Sequence, residues 1–252
     1  MFEGRGLCLR LWVLGFGYFF IGIFPYVVPS FRDLLKMIFT PYVFDLLICP
    51  FLLGLALYSV YSWLIKEKDH VFIRFLFIFL LIFCIEGYGL HWAANTLNSA
   101  ISSIVGVDEG LKTYVYFLDE HLGHWLIFYS LYGILTYFLF VSIFYDRDEE
   151  VGGLWLIHQF TAFMFGFCLF ASAMEGQIAH GVIITGLILV IVPIVFLRKS
   201  FREVFRRRAL ISFMFTAGLS ILTFTLIYWM LFQGFPQPSE WINLILNLTS
   251  HL

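Results

Sequence analysis

Two six-residue strings in this chain carry the same chemistry at the same spacing. Glu86-Gly87-Tyr-Gly-Leu-His91 and Glu175-Gly176-Gln-Ile-Ala-His180 both read Glu-Gly-x-x-x-His. Between them lies a third group, Asp119-Glu120-His121 followed by His124. On a helix, Glu120 and His124 (i, i+4) and His121 and His124 (i, i+3) can share one face. Imidazoles beside carboxylates, with few fixed cations to pair them, are the ligand chemistry of a divalent metal, zinc above all. The ligand set expected from these residues is His91, His124 and His180, with Glu120. Three ligands leave an open position for water, whose pKa a bound metal lowers to about 7. Glu86 or Glu175 would then move the proton, or one of the two is itself a ligand; spacing alone leaves both roles open. Asp45, Asn95, Asp119 and His121 are further positions that can line such a site. The plain readings differ: Asp119 as solvated loop charge, and His121 as the spare of its pair.

These residues need elements that bring them to one depth. Of the 252 residues, 61% are hydrophobic, 32 are phenylalanine and only 13% are charged, against about 25% charged in soluble domains. A membrane span needs about 20 apolar residues. Seven runs meet that need, at about 8–29, 42–65, 71–91, 122–145, 152–174, 180–197 and 209–233. The reading is an all-α integral membrane protein forming a single seven-span bundle. The first run is too long for a signal peptide and has no small-residue cleavage pattern, so it reads as an anchor. Past the last span, Gly234 to Ser239 breaks the helix, and Trp241, Leu244, Ile245 and Leu248 then mark a short interfacial amphipathic helix. Cys8, Cys49, Cys84 and Cys168 lie in apolar runs at irregular spacing and read as packing residues. No basic patch with interleaved aromatics suggests a nucleic-acid partner.

The stretch from Val71 to Val105 exceeds one span; as a continuous helix it would run about 50 Å at 1.5 Å per residue, so either it projects from the outer face or it breaks near Gly87 and Gly89. Glu86 and His91 stand about 140° apart on an ideal helix. Both face inward only if the helix breaks, and Gly87 and Gly89 mark the place. Beyond it, His91, Asn95, Asn98 and Ser102 form a polar stripe, equally a solvated face.

Lys and Arg counts orient the bundle. One side collects twelve, including Arg198, Lys199, Arg202, Arg206, Arg207 and Arg208; the other has Arg32, Lys36 and Lys112. The N-terminus is therefore expected in the cytoplasm and the C-terminus outside. Asp45, Glu86, His91, Asp119, Glu120, His121, His124, Glu175 and His180 all fall on the poorly charged outer side. Carboxylates at mid-membrane cost about 2.5–3.5 kcal/mol on insertion scales, less near the interface, so a shared polar site is expected there. His158 lies toward the other end and reads as a buried polar contact with Gln159.

The function expected is a metal-dependent hydrolase acting on a lipid or amide at the outer face. In layout the chain resembles the seven-span metal hydrolases typified by alkaline ceramidases and adiponectin receptors. Those families carry a late His-x-x-x-His in the last span, where this chain has no His, so no residue is carried over. Three alternatives stand beside it. A carrier needs polar groups through the full depth, and spans three and six have almost none in their inner halves. Haem held between two of the three outer histidines is a second. The third is a non-catalytic protein whose polar cluster only ties helices together.

Overall fold

The computed structural model describes residues 6–20, 49–65, 71–102, 104, 106–145, 148–197 and 201–238. Asp45, the expected amphipathic helix and parts of the first two spans lie outside them. Among the described residues the regular structure is helical: α1 (Gly6–Tyr18), α2 (Cys49–Ile65), α3 (Val71–Ser102), α4 (Glu109–Tyr116), a π-helical segment (Phe117–Gly123), α5 (His124–Tyr145), α6 (Trp155–Glu175), α7 (Ala179–Phe196), α8 (Phe201–Arg207) and α9 (Ala209–Phe232).

Five stretches are long and apolar enough to cross a membrane: α3, the continuous run from α4 to α5, α6 with its leading turn, α7 and α9. The α1 and α2 helices are apolar but shorter. Helices this apolar on every side have no polar face to give to water, so a bundle within lipid is their stable setting. In the interior α6 packs on α9, α3 on α5 and α7 on α9. Phe77, Phe138, Phe165 and Phe213 are fully buried, and Tyr61 stacks on Phe77 with ring centroids 4.0 Å apart.

Of the two alternatives for this stretch, the unbroken helix is the one observed: α3 runs without a break at Gly87 or Gly89 from Val71 to Ser102, about 48 Å at 1.5 Å per residue. Gly87 serves a different purpose. A β-carbon there would lie 2.6 Å from the Ile127 backbone nitrogen, so its missing side chain lets α3 and α5 touch backbone to backbone. Among the described residues nothing lies within 4 Å of where a β-carbon at Gly89 would stand.

The end of the bundle far from His91 is tied by the acidic run Asp148-Glu149-Glu150. Asp148 Oδ1 accepts from the backbone N–H groups of Glu149 and Leu210, both at 2.8 Å. Its Oδ2 accepts from Ile211 N–H at 3.1 Å and from the Ser142 hydroxyl at 3.2 Å. The Glu149 carbonyl takes the Ala209 N–H at 2.8 Å, and its carboxylate takes the Leu7 N–H at 2.6 Å. One short segment thus satisfies otherwise unpaired N–H groups in the first turns of both α1 and α9.

His158 is fully buried there, but its partners are not Gln159. Its Nδ1 accepts from Trp12 Nε1–H at 3.2 Å, and its Nε2–H donates to the Ala209 carbonyl at 2.8 Å. Gln159 instead accepts from the Thr216 hydroxyl. A helix places residues i and i+1 about 100° apart, so neighbours in sequence reach different helices.

Candidate functional site: a carboxylate and imidazole cluster

The site is assembled where α3, the π-helical segment, the start of α5 and the α6–α7 turn meet. Asp108 caps α4 by accepting the Leu111 N–H at 3.1 Å, and the chain then continues through the wider π turns into α5. Such segments insert an extra residue into the helical register. Here the inserted register carries Asp119 and Glu120 onto the side of His91 and His124. Gly123 closes the packing, because a β-carbon there would sit 2.9 Å from His91 Cβ and 3.0 Å from its Cα.

His91 and His124 lie face against face, ring centroids 4.4 Å apart and tilted by 37°. His91 Nδ1 stands 3.2 Å from the Asp119 carbonyl oxygen and 2.9 Å from its Oδ1. One N–H serves one acceptor well, and it is aligned with the carbonyl. Asp119 Oδ1, in a residue only 2% exposed, therefore has His91 Nδ1 as a close polar neighbour but, among the described residues, no donor aligned on it. His124 Nδ1 donates to the Glu120 carbonyl at 2.8 Å, with Glu120 Oε2 3.9 Å away. A carbonyl only accepts, so in a neutral ring each Nδ1 carries the proton and each Nε2 keeps a lone pair. Asp119 is thus no loop charge, and its burial corrects that reading.

Glu175 joins the cluster from the end of α6. A β-carbon at Gly176 would lie 3.2 Å from His124 Cγ, so the α6–α7 turn rests against the imidazole. Gln237, just past α9, places its Nε2 at 3.5 Å from both Glu120 Oε2 and Glu175 Oε1. Its own Oε1 accepts from Gln177 Nε2 at 3.0 Å.

Four expected members stand elsewhere. His180 is exposed and its Nε2 pairs with the Tyr129 hydroxyl at 2.8 Å. His121 packs among Tyr116, Phe117 and Trp125. Asn95 is exposed, as is Ser102, so half of the polar stripe is surface. Glu86 is exposed on the outward side of α3 near Ile82 and Ile85, because the unbroken helix turns it away from His91. Lys112, the cation nearest in sequence, is held by Glu109 at 2.6 Å.

Gln177 and Gln237 were invisible as site residues in the sequence. The one signal was polar side chains directly after two helix ends. Among the described residues no three His, Cys, Asp or Glu side chains already surround one point as a metal-ligand set. No family model, curated protein or solved structure matches the chain.

Proposed function

We propose that the cluster of His91, Asp119, Glu120, His124 and Glu175 is a divalent-cation site, zinc by ligand type. On this reading the chain is a membrane-embedded hydrolase of a lipid or amide. The observation that carries it is the Asp119 carboxylate. Its buried Oδ1 stands 2.9 Å from His91 Nδ1 with no donor aligned on it among the described residues, which leaves it lone-pair capacity for a cation. Two imidazoles beside it keep their Nε2 lone pairs, with Nδ1–H groups fixed on backbone carbonyls. That is the outer-shell arrangement that orients metal-binding histidines. His91 and His124 would be ligands through Nε2, with Glu120 or Asp119 as the third donor. A bound ion would supply Lewis acidity toward a carbonyl and a water made more acidic. Glu175 would take and return the proton, and the apolar helices around it would keep bulk water out.

The reading includes the seven-span arrangement with the cluster on the periplasmic, extracellular or lumenal side, reached by substrate from the membrane. It sets His180 and Glu86 aside, keeps Glu175 and moves Asp119 from a lining position to a candidate ligand. A second reading, a purely structural tie between helices, is favoured by one observation: the side chains do not yet converge as a ligand set.

The test is purification in mild detergent without added metal, then elemental mass spectrometry beside a His91→Ala, His124→Ala double variant. About one zinc or iron per chain, lost in the variant, supports the metal centre, and release of fatty acid or amine from supplied lipids tests hydrolysis. No metal in either protein, with zinc leaving thermal stability unchanged, sinks the reading in favour of the structural tie.

A further inference from the structure

One side of α3 packs on α2 and α5, through the Tyr61 ring against Phe77 and the Ile127 backbone against Gly87. Among the described residues nothing covers the opposite side. Only 17% of the most apolar stretch of α3 is buried, against 39–67% in the other four long stretches. Phe72, Phe75, Phe79, Ile82, Glu86 and Ala93 are all exposed there. Together with Gly89 they recur at alternating steps of three and four residues, the seam by which one helix packs along another. Lipid alone covers the aromatic half of such a seam. It does not serve Glu86.

Glu86 lies about 22 Å along α3 from Val71 at 1.5 Å per residue, within a hydrocarbon layer of about 30 Å. Ile82, Phe83 and Ile85 around it are exposed apolar side chains. Among the described residues no hydrogen bond or ion pair reaches its carboxylate. Acids at membrane depth almost always face protein or a watery cavity, where they find a partner; this one faces out. Beside it the seam turns small, with Gly89 and then Ala93. No described atom lies within 4 Å of a β-carbon added at Gly89. Small residues let a second helix approach closely, here at the level where the carboxylate wants a donor.

We propose that this seam of α3 docks a transmembrane helix of another protein, one that carries a lysine or arginine on an otherwise apolar face. The aromatic half packs against the partner's apolar side chains, and Gly89 and Ala93 admit its backbone. The basic side chain then meets Glu86, so that neither charge is left alone in hydrocarbon. A second copy of this chain fits less well, because twofold pairing through the seam sets one Glu86 against the other. The inference is independent of the metal reading, since Glu86 faces away from the cluster.

The experiment measures energy transfer in phosphatidylcholine vesicles between donor-labelled full-length protein and acceptor-labelled synthetic helices. One peptide is a leucine and alanine span with a single lysine about 8 Å from one end; its counterpart has leucine there. A hydrogen bond between charged groups predicts binding about tenfold tighter for the lysine peptide, and Glu86→Gln should remove that difference. Gly89→Leu, which leaves the carboxylate in place, should weaken the lysine peptide several-fold by blocking close approach. Equal binding of the two peptides, or a lysine preference that survives Glu86→Gln, overturns the proposal in favour of packing alone. No binding of either peptide assigns the seam to lipid and overturns it as well. Transfer between two labelled copies of the chain that exceeds transfer to the lysine peptide assigns the seam to a dimer instead.

Discussion

Gly87 and Gly89 lie two residues apart on α3, and the packing gives their alanine variants opposite signs. At Gly87 an added β-carbon would meet Ile127 N at 2.6 Å, and Ile127 Cγ1 and Leu126 Cβ at 2.9 Å. Carbon pairs rest at about 3.5–4.0 Å, so α3 and α5 must part by roughly 1 Å. Overpacking of that kind costs about 1–3 kcal/mol, while replacing glycine by alanine in a helix returns about 0.5–1 kcal/mol. The net expectation for Gly87→Ala is a loss of about 0–2.5 kcal/mol, with its middle slightly above 1 kcal/mol. Gly89→Ala meets nothing within 4 Å among the described residues and keeps only the gain of about 0.5–1 kcal/mol. Thermal unfolding in one detergent, followed by tryptophan fluorescence, measures both. With about 2–4 °C per kcal/mol for a chain of this size, Gly87→Ala falls by several degrees and Gly89→Ala rises by one or two. Equal shifts of the same sign would refute the backbone contact between α3 and α5. A small change at both would restore a helix broken between them.

Two further expectations follow from the remaining acids. Burial pushes the Asp148 carboxyl up from 3.8 to about 6, against the pull of the N–H groups of Leu210, Glu149 and Ile211 and the Ser142 hydroxyl. Its folded-state affinity for the proton exceeds the unfolded one, so this contribution to stability is full below about pH 4 and is lost as pH rises through 6. Melting temperature should climb as pH falls from 7 toward 5, and Asp148→Asn should flatten that rise; an unchanged slope would show that the group does not titrate there. Glu86→Gln should leave zinc content and affinity unchanged, because the side chain faces away from the cluster. A tenfold loss of affinity in calorimetry would return Glu86 to the site.

The relative depth of the site was legible because apolar runs set where each helix starts and ends. Trp155–Glu175, Ala179–Phe196 and Ala209–Phe232 follow the hydropathy of the chain closely, while α3 starts with it at Val71 but runs eleven residues past residue 91, where that apolar run ends. Residues at the same end of successive runs must then share a level, which grouped His91, Glu120, His124 and Glu175. The matched Glu-Gly-x-x-x-His strings were half misleading. Gly87 and Gly176 are both contact points, yet Glu86 turns outward and His180 turns to Tyr129.

Rotation about each helix axis was what the sequence could not supply. Facing depends on which side of a helix its neighbours cover, and when every side is apolar the periodicity carries no direction. The register added by the π-helical segment moved Asp119 inward and left His121 among aromatics. Contacts between residues far apart in sequence decided the rest, including Gln237 reaching Glu120 and Asp148 reaching the first turn of α9. The sequence by itself determined an apolar helical chain and grouped one set of its carboxylates and histidines, His91, Glu120, His124 and Glu175 among them, at one end. Only the tertiary structure decided which of those groups meet, because a hydrogen bond needs a direction and a partner across space, and a one-dimensional pattern holds neither.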